Sequence, residues 1–265
     1  MIHGLCGRPW VDLEPHLDLS ALADVHGEVC VGLAQVPVAY TGGSHRSMGI
    51  MPAGHEHEAL VDYGEVIAAM TPELYDTFRS LADDPASYPD SPRGASFGEE
   101  RDHDLNETQM LWLQYRFGVY YPWKVFFEMI PNRWWGEKST AAGKQFTRLA
   151  RAYFPKTIAF VETLPFVSIG RCNIMGLAPN DHGTLHRDGV PEEKPEVDHF
   201  ITIAPGGNKR LYLWDQEKDA KTIVKGRAYW FNDSDWHGVL ADPFFRYSLR
   251  VDGVFRPDFL ARIGG

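Results

Sequence analysis

The pattern of hydrophobic and polar positions changes near residue 156, and from there on it predicts short β-strands. Apolar runs rich in β-branched and aromatic residues alternate with turn-forming stretches such as Pro205-Gly206-Gly207-Asn208. Several short strands separated by frequent turns are typical of a sandwich or a barrel. The predicted strands span 166–169, 172–177, 198–204, 210–214, 222–224, 227–231, 239–240 and 247–255.

The first half of the chain has a clear helix start at Thr71-Pro72-Glu73. A threonine offers its hydroxyl to a free backbone N–H, proline suits the first helical position, and an acidic residue complements the helix dipole. Apolar residues such as Phe78 recur at helical spacing after this start. The sequence therefore predicts a helix that ends near Asp83.

A second helix is predicted from Ser139 to Tyr153, where Phe146 and Leu149 lie on one apolar face and basic residues occupy the others. Pro155 is expected to end it. Near the start of the chain, two short runs at 29–33 and 36–40 have the composition of β-strands.

Two further regions leave alternatives open. Residues 83–106 are polar and rich in proline, glycine and aspartate, which is typical of a lid or binding loop but equally of a surface excursion. Residues 109–135 are dense in aromatic side chains. Core packing is the preferred interpretation there, and an aromatic wall of a substrate pocket is the alternative.

Composition bounds the classes of function. The chain has 265 residues, 44% of them hydrophobic, and a net charge of −10. That charge argues against nucleic acid and an anionic membrane surface as partners, because both need a basic face. Three widely spaced cysteines indicate reduced thiols, and no stretch is long and apolar enough for a membrane span, so a cytoplasmic location is expected.

The motif with the clearest chemical meaning is His186-Arg187-Asp188. On a strand, residues i and i+2 point to the same face, so His186 and Asp188 can converge on one point. A further histidine, His237, follows in the stretch 231–238. Two imidazoles and one carboxylate form the facial triad that holds Fe(II) and leaves coordination positions open. The pair His55 and His57 has no evident third ligand, and a solvated turn is preferred for it.

These residues, together with the run 230–237 and the pattern Arg246-Tyr247-Ser248, resemble the Fe(II)/2-oxoglutarate-dependent oxygenases, most of all the aspartyl/asparaginyl β-hydroxylase branch. The resemblance covers roughly residues 164–255. It implies that His186, Asp188 and His237 bind iron. Asp188 is a departure from the animal members of that branch, which lack the carboxylate ligand.

The same resemblance implies a cosubstrate site. Arg246 is expected to bind the distal carboxylate of 2-oxoglutarate, with help from Ser248, and His199 falls where the branch has a histidine near the cosubstrate. Arginine suits this role because its planar fork meets a carboxylate with two hydrogen bonds. Arg250, two positions after Ser248, is a rival clamp or a substrate anchor. Two other candidates for the pocket lining are Asn173 and Arg171.

With this ligand set, the predicted strands indicate a mainly β, α+β fold with flanking helices around a double-stranded β-helix, the jelly-roll architecture of cupins. We expect one domain over 1–265, in which 1–155 forms a helical and loop-rich region that supports and shapes the substrate pocket. Residues 156–265 are expected to form the barrel core with the metal site.

The resemblance implies hydroxylation of a C–H bond with Fe(II), O₂ and 2-oxoglutarate, and with succinate and CO₂ as coproducts. The expected substrate is an amino acid, a peptidyl residue or an amino-acid-derived small molecule. One alternative is a metal-dependent cupin enzyme that does not use 2-oxoglutarate, and another is a non-catalytic cupin-like binding protein.

Overall fold

The computed structural model describes residue 5 and residues 7–37, 63–97, 102–119, 125–132, 135–189 and 196–264. The predicted run at 36–40, the histidines at 55 and 57, and part of the aromatic stretch 109–135 lie wholly or partly outside these residues. No helix among the described segments is both long and apolar enough to cross a membrane.

In the described segments, ten β-strands form two sheets in which every pairing is antiparallel. In chain order they are β1 Trp10–Asp12, β2 Val125–Ile130, β3 Phe166–Leu177, β4 Gly183–His186, β5 His199–Ile203, β6 Leu211–Asp215, β7 Ala220–Ile223, β8 Ala228–Phe231, β9 His237–Val239 and β10 Arg246–Phe255.

The strand order is that of a jelly roll. The larger sheet runs β1-β8-β5-β10-β3-β2 and the smaller runs β4-β9-β6-β7. Strands β3 to β10 therefore cross repeatedly from one sheet to the other, while β1 and β2 extend the edges of the larger one. This arrangement confirms the predicted double-stranded β-helix, which is cupin-like. Its inner faces form the space in which the candidate site lies.

Seven α-helices flank the sheets: α1 Leu22–Leu33, α2 Tyr63–Ala68, α3 Pro72–Ser80, α4 Glu107–Phe117, α5 Arg148–Tyr153, α6 Pro155–Thr163 and α7 Pro257–Ile263, among the described residues. The predicted start of α3 is confirmed. The Thr71 hydroxyl accepts a hydrogen bond from the Leu74 N–H at 3.4 Å, and Pro72 is the first helical residue.

The expectation of β-structure at 29–33 was wrong, because these residues belong to α1. Leu22, Val25, Val29 and Gly32 are the buried positions of that helix. Their spacing of three and four residues is the helical period. The short run of β-branched residues concealed this longer periodicity.

The expectation of one helix from Ser139 to Tyr153 was also wrong. Thr147 caps a short helix, α5, by accepting from the Ala150 N–H at 3.0 Å. Pro155 begins α6 instead of ending a helix, and Glu28 of α1 accepts the first N–H groups of α6, from Lys156 at 2.9 Å and Thr157 at 2.6 Å. Proline is favoured at this position because its missing N–H is not needed there.

Two large clusters of buried apolar side chains, and a separate pair of Val125 and Met175, lie among the described residues. The larger one joins the sheets with α1, α5, α6 and α7. The smaller one, here called the helical cluster, consists of Ile67, Met70, Tyr75, Phe78, Tyr88, Phe97, Leu105, Met110, Leu113 and Val119.

The helical cluster includes much of the segment 83–106. Tyr88, Phe97 and Leu105 of that segment are buried. The Tyr88 hydroxyl also donates to the Asp104 carbonyl at 2.5 Å. The described part of the segment is therefore built into a core and is not an unpacked loop.

Candidate metal centre

Two neighbouring strands of the smaller sheet bring the predicted ligands together. β4 ends at His186 and β9 begins at His237, and these two residues are direct partners across the strands. Asp188 follows in the turn after β4, where its N–H donates to the Asp233 carbonyl at 2.7 Å. The ligand atoms of His186, Asp188 and His237 all lie within 4.8 Å of one another.

Backbone hydrogen bonds fix the orientation of both imidazoles. Nδ1 of His186 lies 2.8 Å from the Thr184 carbonyl, and Nδ1 of His237 lies 2.8 Å from the Asp235 carbonyl. Because a carbonyl oxygen only accepts, Nδ1 carries the proton in each ring, and Nε2 is the nitrogen whose lone pair can bind a metal. Both Nε2 atoms face Asp188 Oδ1, at 3.2 Å and 3.9 Å. Such backbone partners orient the histidine ligands of metal sites.

The protonation states also suit a cation. Burial, together with the neighbouring His186, lowers the pKa of His237 to about 4, so the ring is neutral at neutral pH. Burial alone would raise the pKa of Asp188. Its contacts with His186 and His237, together with the nearby Arg250 guanidinium, outweigh burial and hold that pKa well below its usual range. The result is one charged oxygen donor and a neutral nitrogen donor in a buried space.

Arg250 lies beside the triad at the centre of a buried charge network. Its guanidinium is 3.8 Å from Asp188 Oδ2, 2.7 Å from Asp233 Oδ2 and 3.1 Å from Asp252 Oδ1. Its Cζ also stacks 3.6 Å from the centroid of the Phe200 ring. These contacts commit Arg250 to holding the carboxylates around the site, so it is poorly placed to be a mobile substrate anchor.

The network continues away from the triad. Arg171, a predicted pocket residue, donates from Nε to Asp252 at 2.9 Å. Lys138 pairs with Asp198 at 2.5 Å and lies 3.4 Å from Asp233. Sequence reasoning missed Lys138. Its only signal would have been the excess of acidic residues near the triad, which need buried partners.

A row of buried polar side chains crosses the inner face of the larger sheet. Arg250 on β10 lies between two direct partners, Asn173 on β3 and Thr202 on β5. Thr202 is in turn paired with Tyr229 on β8. Directly opposed residues project from the same face of a sheet. We call Asn173, Thr202 and Tyr229 the polar row.

The polar row lacks hydrogen-bond partners. Both amide atoms of Asn173, Thr202 Oγ1 and the Tyr229 hydroxyl are buried, and none of them has a partner among the described residues. Leaving a buried polar group unpaired costs about 1–3 kcal/mol. Several such groups in one row indicate a binding site for a polar ligand.

Lys209 is a buried cation on the same side of the barrel. It lies just before β6 and donates from Nζ to Ser248 Oγ at 2.7 Å. Burial, with further contributions from Arg250 and Arg246, lowers the pKa of Lys209 to about 7. No carboxylate pairs with it among the described residues. Sequence reasoning missed Lys209, because it follows a glycine-rich turn that is typical of exposed loops.

Arg246 is buried as predicted, but protein groups occupy its guanidinium. Nη2 donates to the carbonyls of Asp181 at 2.6 Å and Leu240 at 2.7 Å, while Nη1 donates to those of Ala178 at 3.4 Å and Phe244 at 3.3 Å. These bonds tie the start of β10 to its neighbours. They weigh against Arg246 as the carboxylate anchor.

His199 is placed differently from the expectation. Its ring stacks 4.8 Å from Phe255, and Nδ1 accepts from the Phe255 N–H at 3.2 Å. His199 precedes Phe200 on β5, and Phe200 contacts Arg250 on the inner face. Since side chains alternate along a strand, His199 points to the opposite face. Its position gives no support to a cosubstrate contact.

No protein-family model matches the chain, and no curated protein matches its sequence. Solved structures do match. A 2OG-Fe(II) oxygenase family oxidoreductase from Burkholderia pseudomallei is 15% identical with a TM-score of 0.32, over 51% of this chain and 71% of that one. A prolyl-4-hydroxylase from Pseudomonas putida is 14% identical with a TM-score of 0.26, over 40% of this chain.

A cupin 2 conserved barrel domain protein from Salinispora arenicola is also similar, at 13% identity and a TM-score of 0.22, over 38% of this chain and 71% of that one. The similarity to the Pseudomonas putida prolyl-4-hydroxylase spans 62% of the length of that protein. At these levels of similarity, the argument about function rests on the residues of this chain.

Proposed function

We propose that this protein is an Fe(II)- and 2-oxoglutarate-dependent oxygenase that hydroxylates a C–H bond. The observation that carries the proposal is the combination of the His186, Asp188 and His237 donors with a buried, unneutralised cation, Lys209, in one barrel. A metal cupin without an oxo-acid cosubstrate has no need for such a cation. The proposal names the same three ligands that the sequence indicated.

The residues present fit iron. Two neutral imidazoles and one carboxylate are the donor set of the facial triad, and three donors leave other positions open for cosubstrate and O₂. Both Nε2 atoms lie close to Asp188 Oδ1 in a buried space, so the chain places three donors where one cation can bind. When bound, Fe(II) supplies the oxidising chemistry, in which 2-oxoglutarate and O₂ give succinate and CO₂.

We propose Lys209 and Ser248 as the anchor of the distal carboxylate, in place of Arg246. An unpaired ammonium group in a buried space is unfavourable, and a carboxylate would neutralise it. Ser248 lies on the same face of β10 as Arg250, two positions along, which is roughly 7 Å. In this arrangement a five-carbon diacid would extend from the triad toward this pair, along the face that carries the polar row of Asn173, Thr202 and Tyr229.

The polar row then has a specific role. Asn173 offers two donors and an acceptor, while Thr202 and Tyr229 each offer a hydroxyl. Because they lie on both sides of Arg250, they can bond the oxygen atoms of a chelating oxo-acid and orient it. Arg250 holds Asp188 in place for the same purpose. Three of these site residues, Asn173, Ser248 and Arg250, were already candidates in the sequence. The structure adds three more, which are Thr202, Tyr229 and Lys209.

The finer assignments follow the resemblance. We propose the aspartyl/asparaginyl β-hydroxylase branch as the nearest relatives and an amino acid, a peptidyl residue or an amino-acid-derived small molecule as the substrate. A small-molecule or peptide partner, not nucleic acid, suits the charge of −10. We also propose a cytoplasmic location and one functional unit in which residues 1–155 support the barrel.

Turnover tests the proposal. The full chain with Fe(II) and 2-oxoglutarate should consume O₂ and release succinate. A screen of amino acids and peptides should identify a compound that accelerates both processes, with one succinate released for each O₂ consumed. His186→Ala should abolish this activity, and His199→Ala should retain it. If no succinate forms under any of these conditions, or if His186→Ala is as active as the parent, the proposed function is wrong.

A further inference from the structure

A cavity of about 480 Å³ lies beside the triad, between β1 and the β6–β7 hairpin. Ligand sites in proteins commonly have volumes of about 300–1,000 Å³. Three half-buried tryptophans, Trp10, Trp214 and Trp236, contribute to its wall. We call this space the tryptophan cavity. The proposed roles of the triad, the polar row and Lys209 do not use any of its aromatic residues.

Strand register places the tryptophan cavity next to the metal ligands. Leu213, which lines it, is the direct cross-strand partner of His237. Trp10 is the partner of Phe231, whose ring packs edge-on at 4.9 Å against the His237 ring. Leu213 of the cavity wall is therefore paired with a metal ligand, and Trp10 of the wall is paired with a side chain that contacts this ligand. A ligand in the cavity would lie beside the reactive position.

The tryptophan cavity has a charged group at its edge. Arg187 lies between the ligands His186 and Asp188 in the chain, and it is exposed. Its Cζ is 5.4 Å from the centroid of the Trp236 ring. A guanidinium placed over an indole can keep its hydrogen-bonding edge available for a carboxylate. Arg187 makes no ion pair with any described residue.

The other charged side chains around the cavity leave Arg187 as the available cation. Lys218 pairs with Asp215 at 2.8 Å, so these two charges neutralise each other. Glu217 and Asp235 also line the cavity, and they would repel an anion anywhere except at Arg187. The cavity thus combines three indole rings in a mixed polar and apolar wall with one cation, Arg187, that can bind a carboxylate.

We propose that the tryptophan cavity binds an aromatic group that carries a carboxylate, with the ring between the indoles and the carboxylate on Arg187. Naming this ligand the substrate rests on the proposed function; the binding itself does not. An aromatic amino acid with a blocked amine, or a peptide that ends in an aromatic residue, has this chemistry. The inference narrows the substrate class from amino-acid derivatives in general to aromatic carboxylates.

Direct binding to the metal-free, full-length protein tests the inference. The probes are N-acetylphenylalanine and its neutral amide, which differ only at the carboxyl group, and phenethylamine, a smaller aromatic cation. Quenching of tryptophan fluorescence and calorimetry measure each dissociation constant without any turnover. The carboxylate should bind at least about tenfold more tightly than the amide, as expected for one charge-assisted, bidentate contact. Phenethylamine should bind most weakly.

Three variants connect this preference to Arg187. Arg187→Gln should bind carboxylate and amide equally well, and Arg187→Lys should keep part of the preference. The matched control is Arg262→Gln, because Arg262 also stacks at 5.4 Å on an aromatic ring, that of Phe259, on α7. This control should behave as the parent. Circular dichroism and Fe(II) binding show whether Arg187→Gln keeps its fold and its ligands.

Some results would overturn the inference. Tighter binding of phenethylamine would mean that Glu217 and Asp235 dominate the cavity. An unchanged preference in Arg187→Gln, or binding of none of the three probes, would also refute it. Because iron and 2-oxoglutarate are absent, a carboxylate preference without any succinate production in turnover assays would leave the cavity site standing and refute only the proposed function.

Discussion

The helical cluster and the barrel interior both contain buried polar side chains. In the helical cluster Gln109 is hydrogen-bonded, whereas the polar row of the barrel has no partner among the described residues. In the helical cluster, Gln109 is fully buried, and its amide is fully engaged. Its Nε2 donates to the Phe78 carbonyl at 3.3 Å, and its Oε1 accepts from the Tyr88 hydroxyl at 3.2 Å and the Asn106 N–H at 3.1 Å. In the barrel, Asn173 is equally buried, but its side-chain amide has no hydrogen-bond partner among the described residues.

The difference separates structural polar groups from binding groups. Gln109 belongs to a capping box, in which Asn106 accepts from the Gln109 N–H and the Gln109 side chain accepts in return, so the amide stabilises the start of α4. The side chains of the polar row have no hydrogen-bond partner among the described residues, and Lys209 has only the Ser248 hydroxyl there and no carboxylate, so their burial is unfavourable. Such groups are retained where a ligand completes their bonding.

The helical cluster has one exception, since the Tyr75 hydroxyl is also buried without a described partner. Burial raises the pKa of Tyr75, which keeps the hydroxyl neutral. A single unpaired hydroxyl among apolar side chains costs little more than one hydrogen bond. The barrel differs because its unpaired atoms share one cross-strand row, next to the triad and to a buried cation.

The largest expected effect is the loss of iron binding. Substitution of residues that only orient metal ligands typically lowers affinity 10–100-fold. Removal of a ligand itself, in His186→Ala or His237→Ala, should therefore weaken Fe(II) binding at least about a hundredfold. Metal titration under anaerobic conditions measures this, with His199→Ala as the control. Retained tight binding in both variants would refute the ligand assignment.

The next effect concerns the helical cluster. Gln109→Leu should lower the free energy of unfolding by about 2–4 kcal/mol, because it leaves the Tyr88 hydroxyl, the Phe78 carbonyl and the Asn106 N–H with fewer partners. Denaturant unfolding followed by circular dichroism measures the change. Iron and 2-oxoglutarate binding should be unchanged in the folded protein. A loss below about 0.5 kcal/mol would show that Gln109 is not a structural polar group.

A smaller effect is the pH dependence of cosubstrate binding. The pKa of Lys209 is lowered to about 7, so the free protein loses the charge as the pH rises through this value. A carboxylate binds the protonated form, and the dissociation constant of 2-oxoglutarate should increase about tenfold per pH unit above 7. Lys209→Arg should remove this dependence, because an arginine stays charged. Calorimetry between pH 6.5 and about 8.5 measures both profiles, and a steep profile in Lys209→Arg would contradict the assignment.

The smallest expected effect, that of Thr202→Val, distinguishes most clearly between structural and binding polar groups. Thr202→Val removes a buried hydroxyl that lacks a described partner, so the free energy of unfolding should stay within about 0.5 kcal/mol of the parent or increase. Binding of 2-oxoglutarate should weaken several-fold in the same variant. Thermal unfolding with and without the cosubstrate measures both quantities. A clear loss of stability in the ligand-free protein would mean that the Thr202 hydroxyl supports the fold.

The sequence predicted the barrel well because alternation and turn residues act locally. Most predicted strands recur in the structure with shifts of a few residues at their ends, and the runs at 166–169 and 172–177 join into the single strand β3. The predicted convergence of His186 and Asp188 also recurs, although Asp188 lies in the turn after β4 and not on the strand. Helix boundaries were harder. The true start of α6 depends on Glu28, a residue of α1 that is far away in the chain.

The charged part of the site could not be predicted for the same reason. Lys209 meets Ser248 only because β6 and β10 face each other across the barrel. Arg246 matched the family spacing, but whether its guanidinium is free depends on carbonyls of several separate segments. The polar row became visible only when strand register placed Asn173, Thr202 and Tyr229 beside Arg250.

The most direct test of the central claim is anaerobic equilibrium dialysis of 2-oxoglutarate against the full chain, with and without Fe(II). The account predicts one molecule bound per chain, dependence on the metal, and affinity at least about tenfold weaker in Lys209→Met, since truncating one side of a buried charge pair costs about 2–5 kcal/mol. Ser248→Ala should show a smaller loss. The absence of binding, or binding that neither Fe(II) nor Lys209→Met affects, would contradict it.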